Sequence, residues 1–135
     1  MTAEDSKRAQ EQAKTQLESI RELVVAYRAA DDLDEPERSS KLDAAREAIL
    51  EDPLSIEVRS GWHTPGAKGD TEEYRILLCT GGPAVQIVGD LSGYGEPETA
   101  HIEYQDWFTP WQRLSISGDD ERDLLTYAQT FYFGE

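Results

Sequence analysis

The hydrophobic period of the chain changes at Pro53, from helical spacing before it to strand spacing after it. Before Pro53, apolar residues recur three and four positions apart, and no Gly or Pro interrupts residues 6–30. After Pro53, apolar and polar residues alternate, and Gly and Pro separate short segments. A chain in this order is expected to form helices first and a sheet second. The sequence therefore predicts an α+β fold, with the whole chain, residues 1–135, as a single domain.

Residues 1–52 are predicted to form a helical hairpin. The first helix spans about 6–30, and an acidic break at residues 31–35 separates it from a second helix that ends near Leu50. One apolar stripe runs along the first helix, made of Ala13, Leu17, Ile20, Val24 and Tyr27. This stripe either packs on the rest of the domain or pairs with a second copy, which leaves open a homodimer through residues 13–27.

Residues 53–135 are predicted to form a four-stranded antiparallel meander sheet and a C-terminal helix, with the helices on one face of the sheet. The expected strands are 54–58, 74–80, 84–91 and 99–107, with a short edge strand at 113–116 as an alternative. We expect the first strand to be half-buried and the second, which is apolar on both faces, to be covered on both sides. The last helix is expected to begin at Asp119, because carboxylates favour the positive end of the helix dipole. Its expected apolar face comprises Leu124, Leu125, Ala128, Phe131 and Tyr132.

The net charge carries the strongest functional signal. With 13 basic and 28 acidic residues the chain has a formal net charge of −15, which disfavours nonspecific nucleic-acid binding because the chain repels phosphate. No Lys or Arg occurs between Arg75 and Arg113. Five acids do occur there: Asp90, Glu96, Glu98, Glu103 and Asp106. The excess exceeds the magnitude of about 2–8 that suits a small soluble domain, so we expect a basic protein surface as partner, with solubility alone as the alternative reading.

Aromatic residues concentrate in the same stretch of sequence. They are Tyr94, Tyr104, Trp107, Phe108 and Trp111. Such a cluster either closes the end of the sheet as core or forms an exposed patch rimmed by acids, which is the composition of a protein-binding hot spot. In the second reading Trp107 or Trp111 supplies apolar anchoring. The predicted partner-binding residues are therefore Asp90, Glu96, Glu98, Glu103, Asp106, Trp107 and Trp111.

Residues suited to catalysis are scarce. The chain has two His and one Cys, with no metal-binding His spacing and no phosphate-binding glycine loop. We predict no catalytic residue, no metal and no cofactor, and we expect Cys79, which lies in an apolar segment, to be an inert thiol. The alternative is a small enzyme or ligand-binding domain with its site near His63 and the 60–72 loop.

The sequence also bears on location. No segment approaches the roughly 20 consecutive apolar residues of a membrane span, and the polar N-terminus has no signal-peptide pattern. We therefore expect a cytoplasmic protein that contacts neither membrane nor nucleic acid directly.

Three segments carry a resemblance to other proteins: EYRILLCTGGPAVQIVGDL (Glu73–Leu91), EYQDWFTPW (Glu103–Trp111) and the C-terminal YAQTFYFGE. Residues 53–135 resemble, in general character, small acidic uncharacterised proteins of bacterial phages and mobile elements. In size and charge the chain is similar to anti-CRISPR and anti-restriction proteins, including those that mimic DNA. The resemblance implies a non-enzymatic inhibitor that occupies the basic surface of a host nucleic-acid-binding defence complex, and it assigns no residue roles.

Overall fold

The computed structural model describes residues 3–66, 71–106 and 109–133. The elements follow in the order α1 (Ala3–Asp31), α2 (Glu37–Leu50), β1 (Ser55–Ser60), β2 (Thr71–Cys79), β3 (Ala84–Asp90), β4 (His101–Gln105), β5 (Gln112–Arg113) and α3 (Gly118–Gln129). The predicted α+β fold, with two N-terminal helices, an antiparallel meander and a C-terminal helix, is confirmed. The sheet has one strand more than the four predicted, because Gln112 and Arg113 pair with β4; only Arg113 lies within the edge strand considered at 113–116.

The five strands form one antiparallel meander in the order β1-β2-β3-β4-β5. A row of isoleucines marks its inner face: Ile76 lies opposite Ile56 and Ile87, and Ile87 lies opposite Ile102. Ile76, Ile87 and Ile102 are fully buried. The inner face of β2, β3 and β4 therefore forms one wall of the hydrophobic core.

The apolar stripe of α1 forms the other wall. Ala13, Leu17, Ile20 and Val24 are buried and belong to the same core cluster as the isoleucines of the sheet. α1 contacts β3 and β4 as well as α2 and α3. The stripe is thus covered within the chain, in agreement with the reading that it packs on the rest of the domain.

Burial of β1 and β2 differs from the prediction. Leu54, Ile56 and Val58 are 60%, 39% and 41% exposed, so the expectation of a half-buried first strand is wrong. Arg75 is exposed on the outer face of β2, so that strand is not covered on both sides. β1 is exposed because of the width of the sheet, since a helix is about 10 Å across and five strands at about 4.8 Å spacing span roughly 20 Å. The outer face of β2 is exposed because the apolar stripe of α1 packs on the opposite, inner face.

The C-terminal helix begins at a side-chain cap and is attached to α1. The Ser117 hydroxyl accepts a hydrogen bond from the backbone N–H of Asp120 at 3.1 Å, which satisfies one free amide of the first turn. Arg28 of α1 forms an ion pair with Asp123 at 2.7 Å. Tyr127, which the sequence did not assign to the apolar face, is fully buried and donates to Asp52 at 2.6 Å, whereas Tyr132 is exposed.

Gly89 of β3 lies where the backbone of Thr99 passes closest to the sheet. A Cβ atom at this position would overlap the Thr99 carbonyl oxygen and the ring of Tyr74, whose hydroxyl donates to that same carbonyl at 2.6 Å.

We expect Gly89→Ala to lower the free energy of unfolding by about 2 kcal/mol through overpacking, measured by urea denaturation. Gly93→Ala is the control, since a Cβ there meets no atom within 4 Å. Equal midpoints for the two variants would contradict this assignment.

Two buried tyrosines make stability depend on alkaline pH. Burial raises the pKa of both Tyr74 and Tyr127, and the hydrogen bond to Asp52 raises that of Tyr127 further. Above the ordinary tyrosine pKa of about 10 the unfolded chain releases protons that the folded chain retains. Stability is therefore full below about pH 10 and falls above it, by about 1.4 kcal/mol per pH unit for each tyrosine.

Denaturation between about pH 10 and 11.5 checks this dependence. Tyr127→Phe should lower the free energy of unfolding at neutral pH by about 1 kcal/mol, because Asp52 loses a hydrogen-bond donor. In the alkaline range the same variant should lose roughly half of the slope. A wild-type free energy that stays flat across this range would show that the two hydroxyls are not protected by the fold.

Candidate functional site

Three segments of the chain meet at one end of the sheet. The β1–β2 and β3–β4 connections leave the sheet on the same side, and the backbone N–H of Leu91 donates to the carbonyl of Glu72 at 2.7 Å. The segment after α3 reaches the same place, where Gln129 Nε2 donates to the carbonyl of Pro97 at 3.2 Å. We call residues 61–66, Glu72, 90–99 and 130–133 the loop end.

The β3–β4 connection is held in shape by its own hydrogen bonds. The backbone N–H of Ser92 donates to the carbonyl of Glu96 at 2.8 Å, and that of Gly95 donates to the carbonyl of Ser92 at 2.9 Å. The Ser92 hydroxyl accepts from the backbone N–H groups of Tyr94 and Glu96, both at 3.2 Å. Gly95 has a φ of 78°, a conformation that favours glycine. The side chains of this connection therefore project from a fixed backbone.

The loop end exposes three aromatic side chains. Trp62 is 104% exposed, Tyr94 is 94% exposed and Tyr132 is 82% exposed, and these are the most exposed large apolar side chains in the described part of the chain. Tyr94 and Tyr132 line one hollow of about 510 Å³ together with Glu96. Trp62 lines another of about 570 Å³ with Glu72. Trp and Tyr are enriched among the residues that contribute most to protein binding, so fully exposed Trp and Tyr rings are typical of a binding surface.

Four carboxylates lie at the same end of the sheet as these rings. Glu72, Asp90, Glu96 and Glu98 are all exposed. Within residues 3–66, 71–106 and 109–133, no ion pair involves any of the four. Their charges are therefore not neutralised by a neighbouring cation of the described chain, and they give the loop end a negative potential around its aromatic rings.

The predicted partner-binding residues are divided among three places. Asp90, Glu96 and Glu98 lie together at the loop end. Glu103 lies on the outer face of β4, where it accepts from Gln86 Nε2 at 2.9 Å and pairs with Arg113 at 3.7 Å.

Asp106 lies at the opposite end of the sheet, where its backbone N–H donates to Thr109 Oγ1 at 3.2 Å. Trp111 is half-buried on that side of the structure. Trp107 lies outside the described residues. The structure thus brings together three of the predicted carboxylates, and the exposed aromatics beside them are Trp62, Tyr94 and Tyr132.

For two of these aromatics the sequence contained a pattern that indicates exposure or binding. Trp62 lies in a Gly- and Pro-rich loop, and a large aromatic in such a loop is expected to face solvent. Tyr94 belongs to the aromatic cluster already noted. Tyr132 gave no such signal, because its place at the loop end depends on the direction in which the chain leaves α3.

Groups suited to catalysis are not assembled. His63 is exposed, its Nδ1 lies 3.2 Å from the carbonyl oxygen of the adjacent Thr64, and no described carboxylate lies within hydrogen-bond distance of it. Burial raises the pKa of the Cys79 thiol, and hydrogen bonds, including one with Gln12, offset part of that rise. Because the net pKa is raised, the thiol stays protonated and is a weak nucleophile. In the described parts of the chain, no three His, Cys, Asp or Glu residues cluster in a way that would hold a metal ion.

No protein-family model, no curated protein and no solved structure matches the chain. The resemblance to phage and mobile-element proteins stays a prediction. Among the described helices, none combines the length and the apolar character needed to cross a membrane.

Removal of the Ser92 hydroxyl should loosen the β3–β4 connection without unfolding the domain. In Ser92→Ala the amides of Tyr94 and Glu96 lose their acceptor, and we expect their hydrogen exchange to accelerate about tenfold, corresponding to about 1.4 kcal/mol of local opening. Exchange of the β2 and β3 amides should not change and serves as the internal control. Unchanged exchange at both loop amides would show that other contacts hold this segment.

Proposed function

We propose that the chain is a non-enzymatic binding module that uses the loop end to hold a basic segment of another protein. One observation carries the proposal: the three most exposed aromatic rings of the described chain lie among four carboxylates without ion pairs. The hydrogen-bonded β3–β4 connection supports it, because a fixed backbone reduces the entropy lost on binding.

The two kinds of side chain have complementary roles toward such a partner. Exposed Tyr and Trp are the residues that most often supply affinity at protein interfaces. Carboxylates at the rim speed the encounter with a positively charged surface and align the two molecules. Tyr94 and Tyr132, which line the same hollow as Glu96, also suit a guanidinium or ammonium group, since a cation above an aromatic face is attracted by its quadrupole.

We infer that the partner's surface is one that normally holds nucleic acid. Surfaces that neutralise several phosphates are rich in Lys and Arg, and a protein with a net charge of −15 complements them. The predicted resemblance to anti-CRISPR and anti-restriction proteins agrees with such a role. The finer proposal is therefore a cytoplasmic inhibitor that blocks a defence complex by covering its basic surface.

Charge reversal tests whether the partner recognises the loop end in particular or only the overall negative charge of the protein. Glu96→Lys with Glu98→Lys changes two exposed carboxylates at the site, and Glu37→Lys with Glu47→Lys makes the same change of charge on exposed positions of α2. The wild type, immobilised in about 50 mM salt, should capture a basic protein from bacterial lysate. We expect the loop-end variant to slow association with that protein about tenfold or more, and the α2 variant to change it little.

Two outcomes would contradict the proposal. Equal effects of the two variants would show that only net charge matters, and binding that is unchanged between low and high salt would show that charge is not used. A duplex DNA fragment should displace the protein from its partner if their surfaces coincide. Failure of DNA to compete would reject the inhibitor role while leaving the binding site intact.

A further inference from the structure

β1 is an edge strand whose protection against pairing with another strand is incomplete. One side pairs with β2, and within the described residues no strand pairs with the other. Edge strands are normally guarded by charged side chains, above all Lys, by Pro or by a bulge, and the two charges of β1 are already paired with residues of β2. β1 (SIEVRS) has neither Lys nor Pro, its one register shift lies at the Arg59–Ser60 end, and all six of its residues are exposed.

The two faces of β1 differ in chemistry. Ile56 and Val58 lie on the inner face, opposite Ile76 and Tyr74 of β2. They remain partly exposed because none of the described helices packs closely on β1. This leaves an apolar strip along the free edge of the sheet. A strand that continues the sheet beyond β1 packs its own inner-face side chains against this strip.

The outer face of β1 carries one negative and one positive charge. Glu57 pairs with Arg75 of β2 at 2.7 Å, and Arg59 pairs with Glu73 of β2 at 2.6 Å. β1 therefore has a net charge of zero in a strongly acidic chain. A copy of the same chain meets no excess of like charge along this edge.

We propose that β1 pairs antiparallel with β1 of a second copy around a two-fold axis at Val58, which joins the two sheets into one. In this register Glu57 lies opposite Arg59 of the second copy, and Arg59 lies opposite Glu57 of the second copy. Each row of the outer face then reads Arg75, Glu57, Arg59 of the second copy, Glu73 of the second copy. Charges alternate across four strands, and the two Val58 side chains meet on the inner face.

Charge selects this register from its neighbours. A shift of the two-fold axis to residue 57 would place Glu57 opposite Glu57 of the second copy, and a shift to residue 59 would place Arg59 opposite Arg59. Like charges directly opposite each other destabilise a strand pair. Of these three registers only the one centred on Val58 is self-complementary in charge, and this is the reason to assign a second copy as the occupant of the edge. The inference does not depend on the proposed function of the loop end.

Sedimentation velocity on two charge variants and their mixture tests the pairing. At physiological salt, which screens the net repulsion of two acidic chains, the wild type should dimerise as concentration rises. In the Glu57→Arg variant, the new Arg lies opposite Arg59 of the second copy, and in Arg59→Glu the new Glu lies opposite Glu57 of the second copy. Because like charges then face each other, each variant alone should dimerise at least tenfold more weakly. An equimolar mixture should recover dimers, because the two variants complement each other in the same register. Circular dichroism of each variant controls for folding.

A disulfide at the axis gives an independent readout. In a Cys79→Ser background, Val58→Cys places two thiols on directly opposed residues, whose Cα atoms are about 4.5–5.5 Å apart and within disulfide range. Ile56→Cys is the matched control, since residue 56 is similarly exposed but lies about 14 Å from its symmetry mate at 3.4 Å per residue. Mild oxidation should cross-link the first and not the second.

Three results would overturn the pairing. One is a wild type that stays monomeric throughout the concentration series. Another is a mixture of the charge variants that fails to recover dimers. The third is equal cross-linking of Val58→Cys and Ile56→Cys, or no cross-linking of either.

Discussion

The fold depends on the packing of one apolar stripe of α1 against the sheet, where it contacts β3 and β4. This contact buries the fully covered isoleucines of the sheet together with Ile20 and Val24 of the helix, and it leaves no second apolar layer for the rest of the sheet. α3 adds Leu124 and Tyr127 to the same core. The inner side of β1, the outer face of the sheet and the loop end are therefore surfaces of the sheet that this packing leaves free for interaction.

The sequence predicted the fold class because the signals it uses are local. The change of hydrophobic period and the Gly-Gly-Pro turn fix the order and type of the elements. It did not predict the exposure of β1, because alternation tells which residues share a face and not whether anything lies over that face. The predicted apolar face also included Tyr132 and omitted Tyr127. Tyr132 lies beyond the end of α3 at Gln129, where helical spacing no longer tells which side chains share a face.

The sequence predicted the kinds of side chain in the candidate site, carboxylates and aromatic rings, but only part of their location. Closeness in sequence suggested one acidic patch from Asp90 to Asp106, yet the direction of β4 carries Asp106 to the opposite end of the sheet. Alternation along the same strand turns Glu103 to the outer face, where Arg113 lies beside it. Acidity alone does not single out the loop end either, because α2 also carries exposed carboxylates such as Glu37 and Glu47. The exposed aromatic rings are what distinguish the loop end.

The central claim is that this combination of rings and carboxylates, and not overall acidity, receives a basic partner. A nuclear magnetic resonance titration of the isotope-labelled chain with a short arginine-rich peptide at low salt tests it directly. The largest shifts are expected on Trp62, on residues 90–98 and on Tyr132, while the amides of α2 change little. Shifts of similar size along α2 and at the loop end would contradict it, since they would show that the peptide follows charge alone.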